Sequence, residues 1–226
     1  VEITPIYGVK GNDTNNLRFL SPQWIEVLQH TISEAEHLGM QVDLPPGSGW
    51  RTGGPFIDDE TSAAALDIET GEIRPTDEAV KRAGPGGAGR TVNPFSRTSL
   101  QAVIDYVSPS FPDLGIRAQF HDSWEYETTA PRDLYEQFKK LKGYDLGEHL
   151  ADLRGENGDD QKARVLYDLQ TTLSDLALTE FIQPWTEWCH SIGQLFRNQA
   201  HGSPGNLLDL YAASDIPETE GFRSVV

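Results

Sequence analysis

His121, Asp122, Ser123, Trp124, Glu125 and Tyr126 are consecutive, and they place an imidazole, a hydroxyl, two carboxyl groups and two aromatic rings in six residues. A second acidic pair, Glu218 and Glu220, stands two residues apart in "IPETEGF" (216–222). Spaced by two in a strand, both side chains of that pair point to one side. Like charges facing one cavity are costly unless a cation or a shared proton relieves them. The alternative has one of them outside, solvated or ion-paired. Two acids on separate strands facing one cavity are the minimum equipment for glycoside hydrolysis. One protonates the leaving oxygen, and the other activates water or attacks carbon.

His121 and His201 lack the H-x-H or H-x-x-x-H spacing of a zinc site. They read better as mouth histidines that bond a substrate hydroxyl or orient a carboxylate. Ser123 has no nucleophile-elbow pattern around it. The glycine-rich stretch "DLPPGSGWRTGGPF" (43–56) lacks both the dinucleotide and the Walker pattern, and Arg51 is its only cation. It reads as a compact turn that brings Trp50 to a rim. An aromatic ring beside polar groups suits a sugar, whose C–H faces stack on rings while its hydroxyls take hydrogen bonds.

These residues need elements that deliver them to one place. Residues 1–8 are β-branched and alternating, which predicts a strand. Ser21 as N-cap, Pro22 at the first helical position, and Trp24, Ile25, Leu28, Ile32 and Leu38 at helical spacing predict a helix ending at Gly39. Residues 40–44 follow as a strand, which makes a βα unit and a parallel sheet. Helical patterns recur at 99–107, 131–143, 145–153, about 161–191 and 206–213; strands are expected from 115, at 194–200 and at 216–222. In both the doubly wound sheet and the (β/α)8 barrel, function collects where strands end. The stretches 43–56, 121–126, 198–205 and 217–222 all fall there, and Asn198 and His201 lie in the third. Between 58 and 92 the pattern breaks. "ALDIETGEI" reads as a hairpin and "GPGGAG" (84–89) as a flexible loop, so this stretch is expected as an insertion on the rim of one domain spanning 1–226.

The formal charge of −17 argues against nucleic acid, because phosphate would be repelled and no basic stripe exists. No apolar run is long enough to span a membrane. Cys189 is the only cysteine, so neither an intrachain disulfide nor a thiolate metal site is available, and it reads as a small core residue. A chain that starts at Val1 is expected to be trimmed or excerpted.

Taken in order, "VEITPIYG", "LGMQVDLPPGSGWRTGGPFI", "HDSWEY" with "FKKLKGYDL", and "RNQAHGSPGNLLDLYAASDIPETEGF" resemble the glycoside hydrolase family 106 α-L-rhamnosidases and their relatives. The resemblance covers most of the chain outside about 58–92. It implies a (β/α)8 catalytic barrel, inverting hydrolysis of terminal α-L-rhamnosides, a calcium ion that helps hold the sugar, and a secreted or periplasmic setting. Carried over by motif, Glu125 is expected as general acid and Glu220 as base or calcium ligand. Asp122 and Glu218 become metal contacts, and Trp50, His121, Trp124, Asn198 and His201 substrate contacts. Two departures stand out. The 58–92 stretch resembles a shortened replacement for a longer insertion, and a further glutamate-bearing strand of the family would follow residue 226. A barrel usually takes about 250 residues, so a partial or atypically closed barrel is expected. The alternatives are a non-catalytic carbohydrate-binding or structural remnant of such a barrel, and a metal-assisted hydrolase using Asp122, Glu218 and Glu220 as oxygen ligands.

Overall fold

The computed structural model describes residues 1–219. Helix α1 (Pro22–His37) starts where expected: Ser21 Oγ accepts from the Trp24 amide at 3.2 Å, and Pro22 spends no donor in the first turn. Its buried face, Leu28, Ile32 and Ala35, packs on Val42, Leu44, Val107, Phe111, Leu114 and Ile116. Gly39, at φ +71°, supplies the left-handed residue that ends it and turns the chain into β1 (Asp43–Leu44).

The irregular stretch that follows is built from short antiparallel pairs. Strand β2 (Gly53–Gly54) pairs with a later strand, and β3 (Ala64–Leu66) with β4 (Ile73–Pro75) forms the expected hairpin. The chain returns as β5 (Arg90–Thr91) against β2. That contact needs glycine, because a Cβ on Gly53 would stand 2.2 Å from the Arg90 carbonyl oxygen. The Trp50↔Lys81 bridge ties the segment to the loop after β1 and Ile6↔Ala83 ties it to the N-terminal residues, while Ser62↔Val92 and Ala79↔Arg90 close it on itself. The segment is therefore anchored to the loop after β1 at Trp50 and through the β2–β5 pair.

Helix α2 (Arg97–Val107), capped by Ser96, leads to β6 (Ala118–His121), all four of whose residues are buried. Helices α3 (Leu134–Lys142), α4 (Leu150–Arg154) and α5 (Asp159–Leu176) follow. The single long helix expected over 161–191 is divided. After α5 the register widens to a π-turn at Ala177–Ile182 before α6 (Gln183–Ser191). Pro184 supplies the reason: it has no N–H and its ring displaces the carbonyl four residues back. Strand β7 (Leu195–Asn198), helix α7 (Leu207–Ala212) and β8 (Ile216–Pro217) complete the described chain.

The main sheet has the order β1-β6-β7-β8, parallel throughout. Residues 1–3 extend it by one more place: Glu2 bridges Asp43 in parallel, and Asp43 N donates to the Val1 oxygen at 2.8 Å. Pro5 and the positive φ of Tyr7 keep the expected first strand from running to residue 8. Neighbours in this sheet follow one another in strand order. Among the described residues the sheet is open, so the expected (β/α)8 closure is not seen there. Both faces of β6 are covered, as parallel sheets require. One face meets the helices through Phe181, Ile182, Trp185, Cys189 and Phe196.

Two polar networks hold the sheet. On the helical side, Trp185 Nε1 donates to Gln119 (3.0 Å), Gln119 to Gln194 (2.9 Å), and Gln194 to the Phe111 carbonyl (2.9 Å), each group satisfying the next. The other network is ionic. Arg197 of β7 pairs with Glu218, with Glu2 at 2.9 Å and with Asp43 at 3.3 Å, while Arg117 donates to Asp43 at 2.7 Å. All five parallel segments contribute, and Asp43 is only 2% exposed. The Arg197 guanidinium also lies 4.3 Å from the Phe120 ring centre.

Candidate functional site

The loops after β1, β6 and β7 and the rim segment meet around Glu125. Its Oε2 accepts from Trp50 Nε1 at 3.2 Å and from Lys81 Nζ at 3.3 Å, and its Oε1 accepts from Ser123 Oγ at 3.3 Å. The side chain is 46% exposed, so it faces solvent while held by three donors. Burial pushes its pKa up, but the hydrogen bonds from Trp50, Lys81 and Ser123 and the Lys81 charge together outweigh that and hold it below the ordinary glutamate value. Such a group is an anion at neutral pH. It suits a base or an electrostatic role better than the general-acid role expected from the motif, since an acid must carry a proton.

Trp50 reaches the rim as expected. One face of its indole is occupied: the Arg82 guanidinium stands 4.5 Å from the ring centre, and 5.7 Å from that of Tyr7. Beneath the loop, Arg51 forms a buried ion pair with Glu78, whose other oxygen accepts from the Glu127 amide at 3.0 Å. This pair ties the rim segment to the chain just past Glu125. Arg51 is thereby committed to structure.

Three expected substrate contacts lie elsewhere. His121 is 1% exposed, Asn198 is fully buried and Trp124 is 4% exposed. Strand alternation directs His121 and Asn198 to the helical side of the sheet, among Trp124, Tyr126, Phe181, Trp185 and Phe196. His121 Nδ1 meets Asn198 Oδ1 at 2.9 Å and its Nε2 meets Tyr126 Oη at 3.1 Å, which fits a neutral ring that donates to the amide and accepts from the phenol. Burial pushes its pKa down to about 4, with the Asn198 bond opposing only in part. All three groups are buried in this arrangement. His201 stays at the surface, half-buried, with its carbonyl accepting from the Trp124 amide at 2.7 Å.

Asp122 Oδ1 accepts from the Ser123 amide at 2.7 Å. The Glu218 carboxylate is paired with Arg197. Glu220 lies outside the described residues. A calcium ion takes six to eight oxygen ligands. Among the described residues no group of three or more His, Cys, Asp or Glu is placed to hold a metal. Sequence reasoning missed Lys81 and Arg82 because they lie in the stretch without periodicity. Their signal was a pair of cations in an acidic chain.

No family model matches the chain, and no curated protein matches it. Among solved structures it is similar to a rhamnosidase from Novosphingobium sp. PP1Y, with a TM-score of 0.53 and 23% identity over 63% of this chain. The match spans 15% of that protein's length. The likeness is one of fold: a mixed α/β arrangement with a parallel sheet and helices, distantly shared with a glycosidase. No helix among the described residues is long and apolar enough to cross a membrane.

Proposed function

We propose that this chain carries part of a glycosidase site that cleaves terminal α-L-rhamnosides, or a related deoxy sugar, with Glu125 as a working carboxylate. The observation that supports this most is the placement of Glu125, clamped and ionised in the loop after a parallel strand, with Trp50 Nε1 donating to it. An ionised carboxylate there activates a water for attack at the sugar carbon. The leaving oxygen then needs a separate acid, and Glu220 is the candidate. Inversion by that pair calls for roughly 6.5–9.5 Å between the two carboxyl groups. Glu218, paired with Arg197, takes no part in this step.

The test is release of 4-nitrophenol from an aryl α-L-rhamnoside by the complete protein and by Glu125→Gln. Loss of kcat by about 10²–10⁴-fold, with sugar binding retained, is the expected outcome. Sugar binding without turnover, unchanged in the variant, would instead establish the non-catalytic carbohydrate-binding alternative. Turnover of phosphate or peptide substrates with no glycoside cleaved would overturn both.

A further inference from the structure

The rim segment also reaches into the site. Trp50 and Lys81 exchange both backbone hydrogen bonds, at 3.0 and 2.5 Å. Residues paired directly across an antiparallel bridge send their side chains to one side. Here the indole N–H and the ammonium arrive together on one oxygen of Glu125, at 3.2 and 3.3 Å, while Ser123 takes the other oxygen. We propose that Lys81 is a positioning residue: with Trp50 it fastens Glu125 as an acceptor-only carboxylate and so assigns that group the base half of the chemistry. This rests on the reading of Glu125 as a working carboxylate.

A carboxylate whose two oxygens both accept hydrogen bonds has no proton to give, and charge-assisted donors favour that state. The other charges nearby are committed. Arg51 is paired with Glu78 and stands 4.0 Å from Glu127, Arg82 lies over the Trp50 ring, and Asp122 accepts from the Ser123 amide. Among the described residues, Lys81 is the only cation paired with Glu125. Both side chains are about half exposed, so the effect is expected to be moderate and to weaken in salt.

Lys81→Met and Lys81→Arg in the complete protein test this. The backbone bonds to Trp50 do not involve the side chain, so both variants keep the rim fold. The first measurement is a carbon NMR titration of the Glu125 carboxyl, identified by its disappearance in Glu125→Gln. The midpoint rises in Lys81→Met, returns in Lys81→Arg, and the difference shrinks at about 1 M salt. The second is aryl α-L-rhamnoside turnover against pH. In Lys81→Met the acid limb moves up with the midpoint, and kcat on that limb falls about two- to fivefold with KM nearly unchanged. A Glu125 midpoint that does not move in Lys81→Met overturns the inference. A wild-type protein that leaves the glycoside uncut sinks the proposed function, and the NMR midpoint still decides whether Lys81 holds Glu125.

Discussion

His121 shows how one side chain can look functional in the sequence and prove architectural in the fold. Its ring sits among five aromatic neighbours and is neutral because burial lowers its pKa to about 4. An unfolded histidine titrates near 6.5. Between those values the unfolded chain binds the extra proton, so stability falls as pH drops through 6.5 and levels off below about 4. The full loss is about 3 kcal/mol. Denaturant midpoints measured from pH 7 to pH 4 should show this slope, and His121→Gln should flatten it. Glu125 was legible as a rim group because a run of polar residues ends a strand. The burial of His121 and Asn198 was not, since both faces of this strand are covered and alternation alone does not say which face is wet.

Helices were the most legible elements. Ser21, Pro22 and the apolar spacing located α1 almost to the residue, because capping and periodicity are local properties. Strands were harder. Gln119, a polar residue between the apolar Ala118 and Phe120, is fully buried. It is satisfied by residues 66 and 75 positions away in the chain, Trp185 and Gln194, which local pattern does not reveal. Gln119→Leu leaves the Trp185 indole N–H and the Gln194 oxygen without partners in a dry environment. Unfolding experiments should find it destabilised by about 2–4 kcal/mol, more than its near-equal volume would suggest.

The α/β class and the parallel sheet followed from alternating strand and helix patterns; the strand order did not. The ion cluster across the sheet did not, because Glu2, Asp43, Arg117, Arg197 and Glu218 come from five separate segments. Breaking a buried ion pair from one side is costly because its partner is left charged and dry. Arg197→Met therefore should lower unfolding free energy by about 3 kcal/mol, read by denaturant titration. Asp43→Asn in the same background should recover part of it.

That cluster also bears on how the chain assembles. Arg197 and Asp43 are 154 residues apart, and a contact of that span can form only after the intervening helices have drawn the segments together. A contact made after the rate-limiting step leaves the folding rate alone and slows the reverse step. On that footing the arginine is a latch, and Arg197→Met is expected to speed unfolding while leaving the refolding rate unchanged in stopped-flow measurements.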